Sequence, residues 1–271
     1  GFISGNGSAS SVAGSAITST DLDVDGIRLG DGTGNITISE AGNISGLGVI
    51  GTLANGAFDR QVKVTATSTD ESANAEGDYD AFGIKGAGGD TDLTAGPNDG
   101  DVTGQALGGA EVSASTVGLS SSTAPNATAT IGGTTASKGD VALAGIQDVD
   151  ILGGMVGTNT VKGTSFGDFD ANATSVAGDA TGYSDVNAYG IFDSDNTAGD
   201  ITLSGNIEAI AQLTNTVTAR TIEGNASSDV SADALGMSGY DLDVIGSGQF
   251  RASASSTSSS LARSVAGRAG A

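Results

Sequence analysis

The chain has 271 residues, a net charge of −22 and no cysteine, histidine or tryptophan, which excludes Cys and His zinc sites, His-dependent triads, thiol catalysis and disulfides. Ten scattered basic residues against 32 acids argue against nucleic acid as a partner, and no apolar run approaches the ~18 residues of a membrane-spanning helix. With 45 glycines and two prolines, a thin core of Ala, Val and Ile is expected, not a thick globular core or a Pro-rich linker.

A 19-residue unit opens at Ala9 with ASSVAGSAITSTDLDVDGI. Inside it, Asp21, Asp23 and Asp25 precede Gly26, which spells half of a D-x-D-x-D-G calcium loop. The loop template then fails. Its twelfth position, where a bidentate Glu belongs, is Gly32, and Arg28 sits inside the would-be cage. The flanks GSAITST and TGNITIS favour strand over helix. On a strand successive side chains alternate faces, so Leu22 and Val24 point inward and the three aspartates outward. The same alternation recurs in DVDILG from Asp148 and DLDVIG from Asp241, where Leu152 and Ile245 replace the third aspartate.

The unit returns at Ala66 (ATSTDESANAEGDYDAFGI), Ala173 (ATSVAGDATGYSDVNAYGI) and Ala219 (ARTIEGNASSDVSADALGM). Every copy has Ala at its first and eighth positions, Gly at its eighteenth and Ile or Met at its end. A weaker copy of part of the unit, SASTVGL, starts at Ser113. The starts lie 57, 107 and 46 residues apart, and the middle interval is close to two units. A second unit follows the first: GNITI at Gly34, GDTDL at Gly89, GDVAL at Gly139 and GDITL at Gly199, with YDLDV at Tyr240 as a variant. A third comprises GNIEAIA at Gly205 and GQFRASA at Gly248, with RQVKVTA at Arg60 as a looser copy. On that basis QVKVTATSTDES from Gln61 pairs with QFRASASSTSSS from Gln249.

Short two-periodic segments punctuated by glycine and repeated in line predict an all-β chain, a parallel β-solenoid built from imperfect repeats. It is read as one domain over 1–271, with 1–20 as an N-terminal arm and 255–271 as a C-terminal assembly segment.

The stretch VNAYGIFDSDNTAGDITLSGNIEAIA, Val186 to Ala211, resembles the repeats of bacterial surface β-helices. These are autotransporter passengers, filamentous haemagglutinin-like adhesins and related giant surface proteins. The resemblance covers most of the chain. It implies a right-handed parallel β-helix, export to the cell surface, and adhesion or scaffolding without catalytic residues.

Paired carboxylates are too abundant here to single out a glycosidase pair, and four tyrosines without tryptophan offer few platforms for sugars. The chain is therefore read as not an enzyme. No face is uniformly Thr, which argues against ice binding. The expected function is an extracellular structural protein, a homo-oligomer that assembles head-to-tail into a cell-surface or matrix filament. The alternative is a segment of a large surface adhesin that contacts a host, cell or polysaccharide receptor. The octamers ASSVAGSA at Ala9 and ARSVAGRA at Ala262 prompt the filament reading: no capping repeat is visible, and Arg251, Arg263 and Arg268 form a basic end to meet an acidic body. No cofactor is required. Asp21, Asp23, Asp25, Asp168, Asp170, Asp193 and Asp195 are candidate calcium ligands. The competing reading is that outward acids keep a repetitive β surface soluble and block edge pairing.

Overall fold

The computed structural model describes residues 2–3, 6–29, 36–37, 43–54, 57–86, 92–94, 101–118, 124–132, 141–152, 160–194, 199–203, 205–244, 248–266 and 269–270. Among them there is no helix, and every strand pairing but one is parallel. Strands recur in the order sheet A, sheet B, sheet C, and each circuit is a coil. Coil 1 holds β1 (Phe2–Ile3), β2 (Asn6–Ser11), β3 (Ala16–Arg28) and β4 (Ile36–Thr37). Coil 2 holds β5 (Ile44–Ile50), the hairpin β6 (Thr52–Ala54) and β7 (Ala57–Arg60), then β8 (Val62–Ser68), β9 (Ala73–Lys85) and β10 (Asp92–Thr94). Coil 3 holds β11 (Val102–Thr116), β12 (Ala127–Ile131), β13 (Val141–Gln147) and β14 (Asp150–Leu152). Coil 4 is β15 (Thr160–Ser175), β16 (Ala180–Phe192) and β17 (Gly199–Leu203). Coil 5 is β18 (Asn206–Thr221), β19 (Ala226–Ser238) and β20 (Tyr240–Val244). β21 (Phe250–Ser264) and β22 (Ala269–Gly270) begin coil 6. This is a parallel β-solenoid, all-β as the repeats predict.

The repeat becomes a set of columns. Ala9, Ala66, Ala114, Ala173, Ala219 and Ala262 stack in sheet A. Ala16, Ala73, Ala127, Ala180, Ala226 and Ala269 stack in sheet B. These are the first and eighth positions of the unit, on either side of the A-to-B corner, where small side chains let the sheets converge. The 107-residue interval holds coil 3, whose Ala114 and Ala127 keep both columns across a longer corner.

The third position of the unit is always a hydroxyl, and it ties the corners together along the axis. Ser68 Oγ donates to Gly14 O (2.9 Å), Ser175 Oγ to Pro125 O (2.7 Å), Thr221 Oγ1 to Gly178 O (2.8 Å) and Ser264 Oγ to Gly224 O (2.8 Å). Each reaches from its own coil to the corner of the preceding one. A second ladder runs beside it: Asn126 Oδ1 accepts from Asp179 N (2.9 Å), and Asp179 Oδ1 accepts from Asn225 N (2.7 Å).

Register corrects three alignments. RQVKVTA lies late in its circuit of sheet A, with Val62 beside Ala110, whereas GQFRASA lies at the start, with Phe250 beside Ile207. The proposed pairing of Gln61 with Gln249 therefore fails, because the hairpin splits the sheet A strand of coil 2 in two. Val141, taken as part of the second unit, lies in sheet B beside Val186, while Ile36, Leu93, Ile151, Ile201 and Leu242 align in sheet C. DLDVDG runs in sheet B, but Asp150 and Asp241 lie in strands of sheet C, so one alternating motif serves two walls.

The eighteenth position of the unit forms a waist. A Cβ on Gly83 would overlap Gln105 N and Gly145 O, and one on Gly145 would overlap Thr164 N. Gly104 and Gly163 in sheet A are equally close to Gly145 O and Gly190 O. Backbone touches backbone here, and this divides the interior. On one side lies the main core of Val64, Tyr79, Leu143, Phe169 and Val217. Beyond the waist Ile84, Ile146, Ile191, Val102, Val161 and Ile207 make a second core. That is why the unit ends in Gly-Ile, and why strict alternation gives way to four consecutive buried residues, Ala81 to Ile84.

Two insertions leave the walls at single ladder positions. Ile50 lies beside Gly108 and Val62 beside Ala110, so the hairpin β6–β7 emerges level with Gly109. Ile131 lies beside Ser184 and Val141 beside Val186, so the next insertion emerges level with Asp185. Each exit uses a glycine at positive φ, Gly51 (117°) and Gly132 (80°), where a Cβ would be strained. In β21 the inner row turns polar: Ser256, Ser258 and Ser260 take the columns of Leu213, Asn215 and Val217. The repeat alignment did not register this change.

Candidate functional site

The aspartates of DLDVDG divide as strand geometry dictates. Asp21 and Asp23 are exposed on the outer face of β3, Val24 is buried, and Leu22 packs partly buried against the main core. Asp25 is half-buried and its Oδ2 meets Arg28 Nε at 2.7 Å, so the cation that spoils a calcium cage is that aspartate's partner. Asp21 lies beside Asp78 and Asp23 beside Asp80, which makes a flat acidic face across β3 and β9.

Asp80 is its most perturbed member. Its Oδ1 accepts from Ala142 N (2.9 Å) where β13 enters sheet B. Burial, with Asp23 and Asp78 nearby, raises its carboxyl from 3.8 to about 6, against the opposing pull of the Ala142 amide and Lys85. The fold therefore favours the protonated acid. Its stabilising contribution is complete below the ordinary value and is lost as pH rises through about 6. Asp80→Asn, whose amide oxygen still accepts from Ala142, is expected to add on the order of 2 kcal/mol at pH 8 and almost nothing at pH 4. Urea midpoints at the two pH values measure this, and equal gains at both would count against it.

Asp168 and Asp170 share the outer face of β15, beside Gly109 and Glu111 of coil 3. Gln61, at the root of the hairpin, reaches over Gly109 and donates to Asp168 O (3.1 Å) and Asp170 Oδ2 (3.3 Å). Burial, then the Asp170 charge, raises the Asp168 carboxyl above its ordinary range. Of the FDSDN candidates, Asp193 lies at the B-to-C corner. Asp193 N donates to Ser238 O (3.1 Å), and Asp195 lies outside the described residues. Among the described residues no group of three or more carboxylates is placed to hold a metal ion. Among the described residues the structure brings the candidates together only as pairs: Asp21 with Asp23, and Asp168 with Asp170.

Sequence reasoning passed over Asp148. At φ 52° it turns the corner out of sheet B, and its carboxylate accepts from Ser194 N (2.7 Å), Ser194 Oγ (2.9 Å) and Gln147 Nε2 (2.9 Å). Nearby, Tyr240 Oη donates to Val149 O (3.1 Å), and burial pushes its phenol well above the usual range. The hydroxyl column was also passed over, although its signal stood at position three of every copy.

Just beyond that column the A-to-B corner carries exposed apolar side chains: Val12, Val117, Ile222 and Val265, at 52–74% exposure. A groove beside them is lined by Thr174, Val176, Ile222, Val265, Arg220 and Arg263. No family model, curated protein or solved structure matches this chain. Among the described residues no helix is long and apolar enough to cross a membrane.

Proposed function

We propose that the chain is an extracellular structural protein whose copies join head-to-tail into a cell-surface or matrix filament. The observation that carries this reading is the continuity of its columns. The alanine columns repeat at every level from coil 1 to coil 6, and the hydroxyl ladder at every step but that from coil 3 to coil 2, where Thr116 Oγ1 donates to Pro125 O of its own coil (3.2 Å), so stacking one more coil calls on no new type of contact. β2 and β21 each have a neighbour on one side only among the described residues, and Ala9 and Ala262 stand in the same column. An edge of unpaired main-chain groups accepts another strand readily. The polar inner row of β21 already has partners across the coil, since Ser256 Oγ donates to Ala232 O (2.8 Å) and Ser260 Oγ to Ser228 O (3.1 Å). That leaves the main-chain edge as the joining surface. Because the contact is heterologous it does not close, and it grows a fibre.

Negative-stain microscopy of purified protein tests this. Filaments are expected, and inserting proline at Ala254 in the β21 edge should shorten them while circular dichroism stays that of a β protein. Isolated rods at every concentration would favour an adhesin segment instead.

A further inference from the structure

We infer that the A-to-B corner is a lateral interface on which a second copy of this chain lies side by side and parallel. The apolar ridge is one column: Thr69 N, Val117 N, Ile222 N and Val265 N each donate to the coil before, at Ser11, Ser68, Ser175 and Thr221 O. Val12 and Val265 are 74% and 71% exposed in one contiguous row, of which Thr69 is the polar interruption.

The two flanks of the ridge differ in charge. On the sheet A side Arg220 and Arg263 are direct neighbours on β18 and β21, both exposed, in a chain with only ten basic residues. Neither has an ion-pair partner among the described residues. Like charges on adjacent strands, ~5 Å apart, repel unless an anion lies across them. On the sheet B side stand the exposed acids Asp70, Glu71 and Glu223.

This asymmetry selects the occupant and its orientation. A twofold axis along the solenoid lays ridge on ridge at the same coil level and sets the basic flank of each copy against the acidic flank of the other. Arg220 then faces Glu223 of the second copy, twice. An antiparallel pairing sets like flank against like flank and brings Asp70 of one copy toward Glu223 of the other. The parallel contact is isologous and closed. It lies along the side of the rod and is independent of head-to-tail stacking.

The chain has no cysteine, so single cysteines report the geometry directly. Oxidised Ile222→Cys is expected to give a disulfide-linked dimer, while Asp233→Cys, exposed on the outer face of sheet B, stays monomeric. Mixed Thr69→Cys and Ile222→Cys should give like-with-like dimers. Arg220→Glu and Glu223→Arg should each abolish the dimer in sedimentation velocity, and the two together in one chain should restore it. All five positions are on the surface, and each variant is first shown to keep the wild-type β spectrum. Predominant 69–222 cross-links, no Ile222→Cys dimer above the Asp233→Cys control, or a dimer indifferent to both charge reversals would each overturn the proposal.

Discussion

Gly83→Ala is expected to destabilise the protein by about 3 kcal/mol, as much as a severe core truncation. The added methyl would overlap Gln105 N on one side and Gly145 O on the other. Both are main-chain atoms in neighbouring ladders, so neither can swing away as a side-chain tip would. Relief requires the two sheets to part, and that opens the junction between the main core and the Ile84–Ile146–Ile191 core. Gly14→Ala is the control: its Cβ would meet only Ser11 Oγ at 3.3 Å, and a change within about half a kcal/mol is expected. Urea denaturation followed by circular dichroism measures both. Equal costs would mean that the waist does not hold the sheets together.

That glycine shows how legible the sequence was. Its recurrence at position eighteen was plain, but spacing alone gives no reason for it. The physical reason is an absence of side chain between two sheets, which needs the partners Gly104 and Gly163 from a different part of the coil. Alternation was read correctly where one face is buried and the other wet, as at Leu22 and Val24 between exposed Asp21 and Asp23. It misled wherever a segment could serve two walls. DLDVDG and DLDVIG look alike, yet one lies in sheet B and the other in sheet C, because period two encodes a face and not a sheet. Insertions did the remaining damage. The hairpin after Ile50 moved RQVKVTA away from its column, and no local signal at Gln61 marks the second half of a split strand.

The candidate site was less legible than the fold. Asp21 and Asp168 could be listed from the chain as acids, but their partners Asp78 and Gln61 come from other coils, and only register supplies them. That Arg220 and Arg263 have no ion-pair partner among the described residues was invisible for the same reason. In sequence they are 43 residues apart, one full coil, and in space they are neighbours.

Phe166 and Phe169 give the sharpest test of strand phase. They are three residues apart on β15, and on a helix that spacing would place them on one face. On a strand it places them on opposite faces. Phe169 is fully buried in the main core, its ring 6.4 Å from that of Tyr79 at an interplanar angle of 30°. It fills space that the backbone of Gly108 and Gly167 leaves free, and its column neighbours Ala110 and Asn215 are too small to close over a void. Phe169→Ala is therefore expected to cost about 3 to 5 kcal/mol. Phe166 lies on the outer face and keeps contact with solvent, so Phe166→Ala should cost about 1 kcal/mol or less. Thermal unfolding of the two variants at equal concentration reads the difference as a large and a small fall in Tm. A helical face, or a strand shifted by one residue, predicts that the costs are equal or reversed. Either result would put β15 out of phase and, through its register with β11 and β18, the neighbouring coils with it.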